Sequence, residues 1–323
     1  MNTTFGKSRS PRLPYYDRYQ VDERDQAIQA LITERDELKG HCARLQGLLA
    51  PMAFPPGHYY SPLVDIGDPG TLRILRERLS APLPAGVHID VDAMRETLQR
   101  LARRHSSFPF PRDQQETLRF YYGNPYFGCH DASVYFSMLL EYRPRRVVEI
   151  GSGFSTRLLL DTNERFFHNE MDITAIDPSP SQSVDPRSSP HTDFLKCRVQ
   201  DAPLGLFDQL AANDILFVDS SHVSKTGSDV NFYVFEILPR LKAGVLVHIH
   251  DILYPFEYLA EWVVEDKRSW NEAYLIRAFL QYNTAFEILY WNNFVYHFLG
   301  SYLRTLMPLC LANEGGSLWL RRV

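Results

Sequence analysis

Two short runs carry the residue types that could do chemistry in this chain, "VDSSH" from Val218 to His222 and "VHIHD" from Val247 to Asp251. Each follows an apolar stretch and ends in acids and imidazoles. Asp219, His222, His250 and Asp251 are side chains that hold divalent cations or move protons near neutral pH. His222 has three readings from its chemistry alone: a general base, a metal ligand, or a structural hydrogen-bonding ring. His248 reads as a buried ring that bonds a neighbour or orients the cluster. In a strand His248 and His250 share one face, and Asp251 points away unless the strand has ended, so Asp251 is expected to begin a loop.

A second set lies earlier, in "EIGSGFST". Gly151 and Gly153 let the backbone turn tightly into a helix whose free amides can hold a polar or anionic ligand. Asp177, in "AIDPSP", follows the next apolar run and is placed to accept hydrogen bonds from the two hydroxyls of a ribose. Thr156 stands where a dinucleotide fingerprint has its third glycine, which argues against NAD.

Positioning these residues requires strands that end together. "RRVVEI", "DITAI", "FLKCRV" (Phe194 to Val199), "DILFV" and "GVLVHIH" are short apolar or β-branched runs suited to strands buried on both faces. Helical patterns such as "STRLLLDTNERFF" and "DVNFYVFEILPRLK" lie between them, so βαβ units and a parallel sheet follow. "AFEILYW" and "SLWLRRV" are expected to close the sheet. Ligands of such sheets bind beyond the carboxyl ends of the strands, at the switch point. The fold class is therefore α/β, a Rossmann-like, mostly parallel seven-stranded sheet with helices on both faces. An N-terminal helical region precedes it, in which Asp92 is expected to cap the helix of "VDAMRETLQRLARR".

The pattern E-x-G-x-G after the first strand, an acid ending the second and "VQD" ending the third resembles the class I S-adenosylmethionine-dependent methyltransferases. The resemblance covers about Tyr121 to Val323 and is closest to the branch of metal-dependent sugar and natural-product O-methyltransferases. It implies that Glu149, Gly151 and Gly153 line the methionine half of S-adenosylmethionine, Asp177 the ribose and Asp201 the adenine amino group, with Phe154 and Ser155 in the glycine turn. "YYGNPYFGCHDA" resembles the segment preceding the fold in this branch, which makes Tyr122 and Asp131 neighbours of the cofactor, although a tyrosine cluster beside a helix cap also reads as packing. Catechol-type relatives hold a divalent cation with an aspartate after the fourth strand and two consecutive ligands after the fifth. Asp219, His250 and Asp251 take those places, with His250 departing from the usual carboxylate. His222 stands where those enzymes place a lysine base, and is the alternative fourth ligand.

The chemistry implied is metal-assisted methylation of a hydroxyl on a sugar, polyketide or phenolic small molecule, with Asp219 and His222 at the reacting oxygen. Transfer to nitrogen or carbon without metal, a metal-centred oxygenase or hydrolase on the same scaffold, and a degenerate domain serving a coiled-coil assembly are the alternatives. Aromatic residues from Tyr254 to Trp270 read as acceptor-stacking rings or as core. Asn271 and Glu272 read as the cap of a helix.

The 323 residues divide by pattern into an N-terminal tail and helix (1–54), a helical cap (55–120) and a methyltransferase domain (121–323). Ile28, Leu31, Leu38, Cys42, Leu45, Leu49 and Met52 recur at three-four spacing, broken by Arg35, which is the pattern of a short coiled coil that docks or makes a homo-oligomer, and also of an amphipathic helix lying on its own domain. A net charge of -5 argues against a general nucleic-acid or anionic-membrane binder. Four scattered cysteines suggest no disulfide framework, and with no signal peptide or membrane span the expected location is the cytoplasm.

Overall fold

The computed structural model describes residues 18–49, 53–180 and 191–323. Met52 of the apolar repeat and most of the Ser/Pro-rich loop lie outside them. The chain divides into two units, Met1–Asp65 and Ile66–Val323. The first holds α1 (Arg18–Leu49), one uninterrupted helix. No helix among the described residues is long and apolar enough to cross a membrane.

The second unit opens with α2 (Pro69–Arg76), where proline takes the first turn and Asp68 accepts from the Thr71 amide at 2.7 Å. In α3 (Val91–His105) the cap is Asp90 and not the expected Asp92. Asp90 has the extended backbone that capping needs, and its carboxylate accepts from the Ala93 amide at 2.9 Å. Asp92 lies within the first turn, where it pairs with Arg95 at 2.9 Å. Helix α4 (Cys129–Tyr142) is buried along most of its length, as its apolar residues on every side require.

From there strands and helices alternate. In chain order they are β1 (Arg146–Ile150), α5 (Phe154–Phe167), β2 (Asp172–Ile176), β3 (Thr192–Leu195), α6 (Gly205–Asp208) and β4 (Ile215–Val218). Then come α7 (Asp229–Phe232), β5 (Leu246–Ile249), α8 (Glu272–Leu280), β6 (Phe286–Trp291), α9 (Asn292–Phe298), α10 (Gly300–Leu306) and β7 (Leu318–Arg322). They form one seven-stranded sheet in the order β3-β2-β1-β4-β5-β7-β6. The first five strands pair in parallel, and β7 inserts antiparallel between β5 and β6. Every residue of β4 and β5 is buried, which explains their apolar character, interrupted at His248.

The third strand differs from the expected Phe194 to Val199. It starts earlier and stops at Leu195, the partner of Ile176 at the end of β2, and Val199–Asp201 form a 3-10 turn. The chain moves outward from β1 to β3 and returns at β4, so β1 and β4 bound the switch point. Ile150 pairs with Val218, and Val218 with Ile249. Gly151, Asp219 and His250 therefore leave three adjacent strands at one level.

Candidate functional site

The glycine turn is shaped by backbone contact. Gly151 has φ +90°, and a Cβ there would stand 2.4 Å from the carbonyl oxygen of Asp219. Only glycine suits both conditions. Gly153 has extended backbone, and a Cβ on it would meet no atom within 4 Å. Open space thus lies over the start of α5. Ser152 donates its amide (3.0 Å) and hydroxyl (2.8 Å) to Asp177, while Asp177 also accepts from the Ser179 amide at 2.7 Å. Asp177 thereby joins the loops after β1 and β2.

Glu149 on β1 is fully buried. Its Oε1 accepts from the Ser155 hydroxyl, and its Oε2 has no hydrogen-bond partner among the described residues. Burial pushes its carboxyl up to about 8, against the bond from Ser155. An orphaned buried carboxylate oxygen beside open space is what a cationic group of a ligand would complete, so these residues fit the cofactor implied by the sequence. Phe154 packs edge-on to Tyr121 at 5.5 Å beneath the Arg157 guanidinium, 4.3 Å from its ring centre. Asp201 is exposed and bound by Arg198 at 2.8 and 3.0 Å. Tyr122 and Asp131 both line a cavity with His250 and Asp251. Asp131 Oδ1 accepts from the amides of Gly316 (2.9 Å) and Ser317 (3.0 Å), the Ser317 hydroxyl (2.6 Å) and Asn292 (3.0 Å). This carboxylate ties α4 to the approach to β7.

The acid and imidazole cluster is a second focus. His222 Nε2 is 3.5 Å from Asp219 and 3.6 Å from Asp251, and His250 Nε2 is 3.6 Å from Asp251. His222 and Asp251 both adopt left-handed backbone, with φ 59° and 57°. Two such residues in one cluster mark a locally constrained site. Asp251 begins the loop as expected. His248 is buried, bonds Ser317 at 2.8 Å and stacks on Phe217 at 3.8 Å.

The residue that sequence reading missed is Glu272. Fully buried at the start of α8, it lies 2.7 Å from Nδ1 of His222 through Oε2. Its Oε1 accepts from the Tyr233 hydroxyl (2.6 Å) and the Ser220 hydroxyl (2.7 Å). Tyr233 opens a π-helical turn, Tyr233–Ile237, inside the segment expected to be one regular helix. The His222 carbonyl also accepts from the amides of Asn271 and Glu272 at 3.1 and 3.2 Å. Burial disfavours the charged ring of His222, but Asp219, Glu272 and Asp251 outweigh it and hold its pKa well above the usual value. The three surrounding carboxylates thus favour the charged form of the ring. Burial holds the Asp251 carboxyl above its ordinary value, against the neighbouring histidines.

Among the described residues, no group of three or more His, Cys, Asp and Glu side chains is arranged to hold a metal ion. Asp219, His250, Asp251 and His222 are neighbours, but their donor atoms do not converge on one point as they stand. The His222 ring lies between the two aspartates, which favour its charged form.

Trp270 lies against His222 with ring centres 4.2 Å apart, and the Arg268 guanidinium sits 4.7 Å from the rings of both Trp262 and Trp270. Tyr254, Phe256 and Tyr258 belong to the core, so the aromatic stretch divides between the two readings. The cavity measures about 810 Å³.

Residues 148–252 match the family model described as a methyltransferase domain. An uncharacterized protein of Archaeoglobus fulgidus is 31% identical over 184 residues, spanning 54% of this chain and 82% of that protein. Solved structures of CmcI are more distant. An apo form shares 17% identity over 61% of this chain and 72% of its own (TM-score 0.36). A form with Mg and SAM shares 17% over 77% and 95% (TM-score 0.37). With the sheet order, the glycine turn and the domain match in place, the chain belongs to the class I S-adenosylmethionine-dependent methyltransferases.

Proposed function

We infer that this enzyme methylates a hydroxyl of a small-molecule acceptor seated beside Asp251. The observation that carries this reading is the Asp219, His222 and Asp251 cluster, braced by Glu272 and opening on the cavity. A hydroxyl must lose its proton as it becomes a nucleophile, and this cluster is built of groups that exchange protons. Bound S-adenosylmethionine supplies a methyl group on an electrophilic sulfonium centre. Glu149, whose Oε2 is free, would hold the ammonium of its methionine half, with Gly151, Gly153 and Phe154 forming the bed, Asp177 at the ribose and Asp201 at the adenine amino group.

The cluster acts as one proton acceptor. Nδ1 of His222 is fixed on Glu272, so Nε2 and the facing carboxylates of Asp219 and Asp251 share the exchangeable proton. Asp251, which lines the cavity, receives the acceptor proton, while the charged His222 ring stabilises oxyanion character at the acceptor. Tyr122, Tyr126, Leu253, Leu259 and Trp262 give the cavity apolar walls suited to a sugar or phenolic ring, and its volume suits a small molecule. Of the expected cap, residues 66–120 fall in the second unit and border this acceptor region in our reading, and the cytoplasm is its setting.

A second reading, metal-assisted transfer, is favoured by one observation. Asp219, Asp251, His222 and His250, two carboxylates and two imidazoles of the kind that hold divalent ions, are neighbours at separations of 3.5–3.6 Å and would have to draw together to share one ion. Calorimetric titration of S-adenosylmethionine, followed by a methyl-transfer assay on catechols and reducing sugars with and without chelator, tests both readings. Turnover on hydroxyls that survives chelation supports the first, and turnover lost to chelator and restored by a divalent ion supports the second. Cofactor binding with transfer only to nitrogen or carbon overturns both.

A further inference from the structure

Among the described residues, the apolar face of α1 has no partner within its own unit. Leu31 is 65% exposed, Leu38 60%, Leu45 53% and Ile28 52%. Removing such side chains from water is favourable in proportion to the apolar area covered, so a stripe of them on a 32-residue helix is a strong drive toward a second helix. In heptad terms Ile28, Arg35, Cys42 and Leu49 take the a positions, and Leu31, Leu38 and Leu45 take d.

We propose that α1 pairs with α1 of a second copy as a parallel, in-register, two-stranded coiled coil. The flanking charges select this occupant and direction. Glu34 occupies g and Lys39 the following e, and a parallel pair sets g of one helix against that e of the other. The two-fold axis makes this opposite-charge contact twice. An antiparallel pair sets g against g and e against e and forfeits it. A β-branched residue at a with leucine at d favours two strands, as Ile28 with Leu31 provides.

Arg35 is the polar break in the seam. Its guanidinium is drawn outward to Asp36 of its own helix, at 2.7 Å, which lets the long aliphatic stem cover the seam while the charge stays in water. A single charged a position lowers stability and specifies register.

Cys42 makes the register testable. It is exposed, whereas Cys129 and Cys310 are buried and Cys197 is partly buried. Only a parallel, in-register pair places an a residue opposite its own copy. The full-length protein under reducing conditions is expected to show twice 37.4 kDa by light scattering. Mild oxidation with diamide, which takes two electrons and two protons from the paired thiols, should then give a covalent dimer that Cys42→Ser abolishes without changing the reduced mass. Leu31→Glu combined with Leu38→Glu should give a monomer with unchanged melting of the methyltransferase unit, since neither residue is buried. A monomeric unaltered protein, or a dimer indifferent to the double substitution, overturns the pairing. A dimer that diamide cannot cross-link through Cys42 overturns the direction or the register.

Discussion

Nδ1 of His222 lies 2.7 Å from Oε2 of Glu272, between two buried side chains fifty residues apart. Because Tyr233 and Ser220 occupy the other carboxylate oxygen, Glu272 cannot turn away. Glu272→Gln keeps the shape but removes the charge. It should move the His222 pKa down toward its ordinary value, read from the ring protons by NMR, and slow methyl transfer about 10–100-fold with cofactor affinity unchanged. An unaltered rate beside a shifted His222 pKa would show that the cluster takes no part in the reaction.

The two glycines of the turn should fail differently. Gly151→Ala meets both a positive φ and the Asp219 carbonyl, so it should cost at least about 1–3 kcal/mol of stability. Gly153→Ala introduces a methyl into open space from an extended backbone, so thermal melting should hold while calorimetry shows weakened cofactor binding. Equal stability losses in the two variants would contradict this division.

Glu149 links pH to both folding and ligand binding. Its pKa of about 8 lies above the unfolded value of 4.5, so the folded state holds the proton more tightly. The associated stability is fully present below pH 4.5 and is lost as pH rises through about 8. Melting of the free enzyme should therefore fall more steeply between those values than melting of Glu149→Gln. An arriving ammonium favours the ionised carboxylate, so cofactor binding at neutral pH should release close to one proton. Calorimetry in buffers of different ionisation enthalpy measures that proton, and no release would place the ammonium elsewhere.

Asp131 separates a packing role from a cofactor role. Asp131→Ala leaves the donors of Gly316, Ser317 and Asn292 without their shared acceptor, for a loss of about 3 kcal/mol or more. Denaturant unfolding should show that loss, with cofactor affinity in the folded fraction unchanged. Reduced affinity at normal stability would restore Asp131 to the cofactor site.

The sheet was legible because its signals are local. β4 is apolar throughout and β5 is apolar but for His248, and the E-x-G-x-G spacing announces a strand, a turn and a helix within one stretch of chain. The neighbourhood of Asp219, His222, His250 and Asp251 followed from adding the usual strand order. Glu272 was not legible: an acid after Asn271 at a helix start has the local appearance of a cap, and only tertiary packing carries it to His222. The π turn at Tyr233 was hidden for the same reason. Asp92 misled because two aspartates two residues apart both suit a cap, and the choice between them lies in the backbone angle of Asp90.

The contact between Gly151 and the Asp219 carbonyl has a kinetic meaning. The turn that would seat the methyl donor and the strand end that carries the acid cluster bear directly on each other, with no side chain between them to absorb a shift. A small displacement on one side therefore becomes a misalignment on the other. Disturbances of this turn should be felt in the turnover number of bound substrates as much as in donor affinity, since in-line transfer tolerates little error in the path from sulfur to oxygen.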